Sequence, residues 1–132
     1  MCAQRQKKRT GMAAKSTGKP RIEIVDHSSA RWPEVLSLIE RLGQRRALRI
    51  DEDGWLSARQ SVVVGFINDT PAGYLCFSIR PIGSGRVEAE LDAMAFSNRE
   101  AERLLRKPLC GAARERARRL NCARFNGLEI RG

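Results

Sequence analysis

The sequence predicts one mixed α/β (α+β) domain, and three patterns predict it. Two apolar runs joined by a short polar turn, followed by a third alternating run, predict an antiparallel three-strand meander within 61–96. Apolar residues at helical spacing precede the meander, and a long run of helix formers follows it. The last apolar segment must return by a right-handed crossover, so we expect it to lie parallel to the third meander strand.

The first elements are a short strand and a helix. Alternation around Ile22 and Ile24 predicts a strand that begins at Arg21. Ser28 and Ser29 are predicted helix caps. The following helix begins near Pro33 and Glu34 and ends at Gly43, and its apolar face comprises Trp32, Val35, Leu36, Ile39 and Leu42. The segment 44–60 is compatible with a short helix or an exposed loop.

The second half of the chain contains the meander and its crossover. Asn68–Pro71 and Pro81–Gly85 have turn compositions. The predicted strands are 61–67, 73–79, 86–96 and 124–130, and the predicted helix runs from about residue 98 to about residue 120. In this helix, Ser97 and Glu100 have the spacing of a capping box.

Charge divides the chain into a tail and a domain. The net charge is +10, and residues 1–21 contain no acidic residue. We expect residues 1–20 to form a disordered basic tail and residues 21–132 to form the domain. A second basic cluster follows in the long helix. The positive field of these two segments favours binding of nucleic acid, an acidic protein or nucleotide phosphates. The alternative is a solvated tail and a solvated helix face.

Composition makes several classes of protein improbable. No segment reaches the roughly 18–20 apolar residues of a membrane span, and residues 1–19 lack the apolar core of a secretion signal. We therefore expect a cytoplasmic protein with no membrane partner. The four cysteines are far apart and His27 is the only histidine, so no metal site is predicted. Trp32 and Trp55 are expected to be packing residues, and His27 a loop residue.

Three passages carry a resemblance to a known family. They are VVVGFINDTPAGYLCFSI (62–79), AELDAMAF (89–96) and GAARERARRLNCARFNGLEI (111–130). Together with the element order, they resemble the core of the GNAT N-acetyltransferase family. The resemblance implies transfer of an acetyl group from acetyl-CoA (an acyl-CoA) to an amine acceptor.

The resemblance also implies a place for the cofactor. In the family, the fourth and fifth strands splay apart around the pantetheine arm, which the backbone at Met94, Ala95 and Phe96 would bind here. The family's glycine-rich diphosphate loop has no counterpart, because 97–108 contains no glycine. Either Arg103, Arg106 and Lys107 bind the phosphates by charge, or these residues are only surface.

Carboxylates on the third meander strand are candidate bases. Glu88, Glu90 and Asp92 alternate, so we expect them to share one face of the sheet, with Ala89, Leu91, Ala93 and Ala95 on the other. An ammonium must lose a proton before it can act as a nucleophile. By its position relative to the family, Glu90 is the first candidate base and Asp92 the second. The alternative is a polar strip that faces solvent.

The end of the chain raises the question of assembly. In the family, a helix and two strands follow the fifth strand, whereas this sequence stops at Gly132. The terminal strand is therefore expected to have an exposed edge, and a homodimer could cover it. Besides acyl transfer, two functions stay open. They are a non-catalytic interaction module of the same fold and a basic nucleic-acid-binding protein.

Overall fold

A computed structural model describes residues 19–128 as a five-stranded mixed sheet with one α-helix on each face. The strands lie across the sheet in chain order. All neighbours are antiparallel except the last pair, which is parallel. This confirms the predicted mixed fold and its parallel terminal strand. The elements are β1 (Pro20–Val25), α1 (Trp32–Arg41), a 3₁₀ helix (Arg45–Ala47), β2 (Gln60–Ile67), β3 (Thr70–Gly83), β4 (Arg86–Phe96), α2 (Arg99–Arg119) and β5 (Cys122–Asn126).

The helix α1 covers one face of the sheet. Its buried residues recur at helical spacing and meet the even-numbered side chains of β2 and β3, among them Phe66 and Tyr74. The helix ends as predicted, because Gly43 adopts a left-handed φ of 73° directly after the C-cap. The predicted caps are wrong. The N-cap is Arg31, while Ser28 and Ser29 close a preceding turn with Asp26.

The helix α2 covers the other face and is continuous over 21 residues. Leu105 lies directly over Gly65 of β2, where a β-carbon would come within 2.8 Å of the leucine methyl groups. This glycine therefore allows close helix-to-sheet packing. Pro108 lies inside α2 on its exposed side, and because proline has no N–H it does not donate to the carbonyl of Leu104.

The β2–β3 hairpin is tied to the first elements. Asn68 and Asp69 both adopt left-handed backbone angles, as a tight hairpin turn requires. The Asp69 carboxylate accepts hydrogen bonds from Arg21 at 3.1 Å and from Arg31 at 2.7 Å. Both guanidinium groups lie over the ring of Phe66, so the turn, β1 and the start of α1 are fixed to one another.

Segment 44–60 contains both of its predicted alternatives, a short 3₁₀ helix and an exposed turn closed by a bridge between Ile50 and Leu56. Two further expectations differ from the structure. Trp55 in that turn is 60% exposed, although it was expected to be a packing residue. The last strand begins at Cys122, because Asn121 makes the turn after α2, and it ends before Gly127. Its predicted end at Ile130 lies outside the described residues.

A β-bulge in β4 changes the predicted faces. Cys76 pairs with Ala93 and Phe77 with Leu91, so Asp92 is an extra residue on β4. Consequently Ala89 and Leu91 pack with the α2 face, whereas Ala93 and Ala95 pack with the α1 face. The four do not share one face, because the bulge shifts the alternation by one residue.

Candidate functional site

The parallel strands β4 and β5 pair only over part of their length. Their register runs from Val87–Cys122 to Glu90–Asn126, and β4 then continues to Phe96 with no further partner among the described residues of β5. Gly127, with a φ of 85°, turns the chain away and approaches the β-carbon of Leu91. Leu128 then packs against α2, where its carbonyl accepts from Arg114 at 3.1 Å. Within the described chain, the space beside residues 91–96 of β4 therefore has no paired strand, and we call this space the β4–β5 gap.

Backbone groups of β4 face this gap. The N–H of Ser97 donates to the carbonyl of Ala72 at 2.8 Å, so the pair 72–97 is a hydrogen-bonded pair of the ladder between β3 and β4. Such pairs alternate along an antiparallel ladder. Ala95 therefore bonds to β3, whereas the N–H groups of Met94 and Phe96 point to the β5 side. Two backbone donors are thereby directed into the β4–β5 gap.

The bulge places Asp92 beside a polar cluster on the α1 face. One carboxylate oxygen of Asp92 accepts from Gln60 Nε2 at 3.0 Å and from the hydroxyl of Ser78, and the thiol of Cys76 lies 4.0 Å away. No described cation forms an ion pair with Asp92, and its side chain is only partly buried. Asp92 is thus a positioned carboxylate without a counter-ion among residues 19–128.

Gln60 is the central residue of this cluster and was not among the site residues predicted from the sequence. Its carbonyl oxygen accepts from the Arg49 amide at 2.6 Å, and its nitrogen donates to the Ala47 carbonyl at 2.8 Å as well as to Asp92. The side chain therefore fastens loop 47–49 to the bulge of β4. The available sequence signal was a polar residue directly before an apolar strand.

Glu88 and Glu90 are bound to arginines. Glu88 is 4% exposed and accepts from Arg124 at 2.9 Å, with Arg80 at 3.7 Å. The hydrogen bonds from Arg124 and Asn126 hold the pKa of Glu88 below its ordinary value. Glu90 forms an ion pair with Arg80 at 2.7 Å. Both glutamates share the face of Asp92, as predicted, but each is compensated by a guanidinium.

The helix α2 begins almost immediately after β4. Asn98, rather than the predicted Ser97, is the N-cap, and its side chain accepts from the Ala101 amide at 2.8 Å. The amides of Arg99 and Glu100 precede this bond at the first turn, where an anion is favoured by the helix dipole. The connection after Phe96 is therefore two residues long and contains no open loop.

The three predicted phosphate-binding residues lie on the first half of α2. Arg103 pairs with Glu100 at 2.6 Å, and Arg106 pairs with Glu102 while lying 5.6 Å from the centre of the Phe96 ring. Lys107 is exposed and forms no ion pair with a described residue. Two of the three cations are therefore already partnered by carboxylates of their own helix.

Other reactive groups are buried. Tyr74 is fully buried, burial raises its pKa, and its hydroxyl has no partner in the described chain. Burial, with a contribution from the charge of Asp92, raises the pKa of Cys76 to about 12. Cys110 is also buried and Cys122 partly so. None of these described thiols is poised as a nucleophile at neutral pH.

Comparison with known structures identifies the fold. Similar structures include an aminoglycoside acetyltransferase, meta-AAC0020, from an uncultured soil metagenomic sample (TM-score 0.64, 14% identity, 80% of this chain and 74% of that one). A GNAT family acetyltransferase from Staphylococcus aureus has a TM-score of 0.60 and 13% identity, over 84% of this chain and 93% of that one. The aminoglycoside N-acetyltransferase AAC(6′)-Iy in complex with CoA has a TM-score of 0.56 and 12% identity, over 78% of this chain and 75% of that one. The chain therefore has a GNAT-like fold.

No family sequence model and no curated protein sequence matches the chain. Across residues 19–128 there is no group of three potential metal ligands. Neither helix in that range is both long and apolar enough to cross a membrane.

Proposed function

We propose that this protein transfers an acyl group from an acyl thioester to an amine, with the β4–β5 gap as its donor site. The observation that carries the proposal is the end of strand pairing at Glu90–Asn126, while β4 continues for six residues with two donors facing outward. Unpaired backbone amides require a partner. The structures of similar fold are acetyltransferases, one of them with CoA, which supports the same assignment.

The residues present fit an acyl-pantetheine arm better than they fit a diphosphate. The amides of Met94 and Phe96 match the carbonyl groups of such an arm, which would supply the activated acyl group. At the nucleotide end, Arg99 and Lys107 offer charge, with Arg103 and Arg106 available if they leave their glutamates. Glu100 and Glu102 oppose an anion there, so we expect acetyl-CoA to bind weakly.

Among the predicted bases, the geometry favours Asp92 over Glu90. A base must accept a proton from the acceptor ammonium before the nitrogen can form its new bond to the acyl carbon. Glu90 is neutralised by Arg80, whereas Asp92 has one oxygen held by donors and no counter-ion in the described chain. We propose that the other oxygen of Asp92 receives that proton, directly or through one water. The free amine would then attack the acyl carbon, the C–S bond of the thioester would break, and the sulfur would leave as a thiol with the second proton that the nitrogen loses.

Two substitutions, each of which replaces a carboxylate by its amide, test these roles. Binding of acetyl-CoA is measured by calorimetry, and acetyl transfer is measured with a panel of small polyamines and aminoglycosides. Asp92→Asn should retain acetyl-CoA binding and lower transfer by roughly 10²-fold or more, the usual size of a general-base effect. Glu90→Gln, the matched control, should lower transfer less than about tenfold.

The outcomes separate donor binding from catalysis. No heat and no thermal shift at millimolar acetyl-CoA would eliminate the donor site. Donor binding together with equal activity of Asp92→Asn and the unchanged protein would reject only the role of Asp92. Far-UV circular dichroism of each variant confirms that it is folded.

A non-catalytic module is the second candidate, and the start of α2 favours it. The helix begins two residues after β4, and its first turn carries two carboxylates where the nucleotide of a donor would lie. In that case the basic tail proposed for residues 1–20, most of which lies outside the described residues, would contact nucleic acid or an acidic protein. Absence of donor binding is the result that would favour this function.

A further inference from the structure

A cavity of about 750 Å³ lies where β1 ends and β2 begins. Because β2 runs parallel to β4, this is the end of the sheet opposite to the β4–β5 gap. The cavity is lined by the turn after β1, by loop 49–58 and by the last third of α2. Its size lies within the range of small-molecule sites. None of the residues proposed above for acyl transfer lines it.

An exposed aromatic side chain forms one wall of this cavity. Trp55 is 60% exposed, although leaving an indole in water is unfavourable. Its backbone is fixed, because its N–H donates to Asp51 Oδ1 and its carbonyl accepts from the Asp51 amide, each at 3.0 Å. The backbone that carries the indole is therefore held in place although the side chain is exposed.

His27 fixes the indole from the other side. The two rings are stacked, with centroids 4.9 Å apart and planes within 11°. The Leu56 amide donates to Nδ1 of His27 at 3.1 Å, so the neutral ring carries its proton on Nε2. Together they make a rigid aromatic surface at the cavity wall.

Arginines supply positive charge to the same cavity. Arg116 lines it, and its Nε is buried with no acceptor in the described chain. Its neighbours Arg118 and Arg119 are paired with Glu115. Hydrogen bonds from Ser28 to Oδ1 of Asp26, with a smaller contribution from the charge of Arg116, hold the pKa of Asp26 below its ordinary value, but Asp26 and Arg116 form no ion pair. An unmet buried donor is unfavourable, and an oxyanion that reorients the guanidinium would satisfy it.

Arg49 reinforces that charge. It also lines the cavity, and its side chain forms no ion pair with a described residue. Asp26 and Asp51 also line the cavity, and their carboxylates accept hydrogen bonds from Ser28 and from the Asp53 and Trp55 amides. Two guanidinium groups that form no ion pair in the described chain, beside one aromatic surface, match a ligand that carries an anionic group on a planar ring.

We propose that this cavity is a binding site for a small planar aromatic anion. The ring would lie against Trp55, and the carboxylate or phosphate oxygens would accept from Arg116 and Arg49. Gln60, which holds Asp92, also lines the cavity, but the contacts proposed here use Trp55, Arg116 and Arg49, so either proposal can fail alone.

The test uses the full chain and four simple probes. Phenyl phosphate and benzoate combine a ring with an anion, whereas inorganic phosphate and benzamide each have only one of the two features. Titration by calorimetry, with the fluorescence change of Trp55 as a second readout, should give saturable binding of phenyl phosphate, benzoate or both. Each single-feature probe should bind at least roughly tenfold more weakly.

Variants then assign the contacts. Arg116→Gln should weaken binding of the combined probe by roughly tenfold or more, and Trp55→Ala should do the same. Arg116→Lys should retain part of the affinity, because the charge remains. Arg119→Gln, on the same helix but outside the cavity, should leave binding unchanged.

Two results would overturn the proposal. One is the absence of saturable binding of phenyl phosphate and of benzoate up to about 10 mM. The other is binding that is unaffected by both Arg116→Gln and Trp55→Ala. A difference between phenyl phosphate and benzoate identifies which anion the arginines prefer, and binding of either one supports the site.

Discussion

Single side chains decide what the candidate site can do. The three carboxylates of β4 are chemically alike, but Glu88 and Glu90 face arginines, whereas Asp92 faces an amide, a hydroxyl and a thiol. Partners of this kind determine whether a carboxylate serves as a counter-ion or can exchange a proton. The assignment of Asp92 rather than Glu90 as the proton acceptor depends on this difference.

Glu88 should contribute to stability in a pH-dependent way. Its pKa in the folded protein is below its ordinary value of 4.5 because Arg124 and Asn126 bind the charged form. The contribution is therefore present above pH 4.5 and is lost as the pH falls through the lowered pKa. In urea unfolding at a series of pH values, Glu88→Gln should make the loss of stability below pH 4.5 shallower.

The matched control for Glu88 is the exposed Glu52, which forms no ion pair with a described residue. Glu52→Gln should leave the slope of stability against pH nearly unchanged. If both variants follow the unchanged protein below pH 4.5, the Arg124–Glu88 contact does not contribute to acid stability.

The packing of α2 on the sheet depends on one close approach. Leu105 is fully buried over Gly65, and there is no room for a β-carbon between them. Removing the leucine leaves a cavity, and adding a methyl group at the glycine creates overlap. The two sites are therefore coupled.

A double-mutant cycle measures this coupling. Leu105→Ala should lower the free energy of unfolding by about 2–5 kcal/mol, and Gly65→Ala by about 1–3 kcal/mol. The double variant should be more stable than the sum of both losses predicts, because the new methyl group fills part of the cavity. Chemical denaturation gives all four values, and strict additivity would show that the helix shifts to absorb each change.

Local patterns predicted most of this architecture. The bounds of β4 agree with the prediction, and α2 differs by one residue at each end, because alternation and helix propensity are local properties. The turn at Asn68 and Asp69 was likewise predicted from its composition.

The predictions failed where a contact between residues distant in sequence determines the local structure. The bulge at Asp92 depends on pairing with β3, and the end of β5 depends on the turn at Gly127. Trp55 was assigned to packing from its hydrophobicity alone, yet its fixed exposure depends on Asp51 and His27. The role of Gln60 required three partners separated by up to 32 positions in sequence. None of these contacts leaves a local pattern.

The chain as a whole combines an open sheet edge with strong positive charge. β5 is the outer strand of the described sheet, and Arg114, Arg118 and Arg124 line a cavity of about 330 Å³ beside it. A symmetric homodimer through β5 would bring the same arginines of two subunits together. The proposed dimer should therefore be opposed by charge repulsion.

Association should accordingly increase with ionic strength. Salt at about 1 M shortens the screening length to roughly 3 Å, which removes most of the repulsion between exposed arginines. Sedimentation velocity should show monomer in dilute buffer and a growing dimer fraction in high salt. Monomer at both salt concentrations and at tens of micromolar protein would reject a dimer through β5.

The attachment of loop 47–49 by Gln60 has a consequence for hydrogen exchange. Loop amides usually exchange with solvent deuterium within seconds, because they open locally. The Arg49 amide instead donates to a side chain that is anchored at the bulge of β4. Its protection factor should therefore follow the opening of the sheet rather than the movement of its own segment.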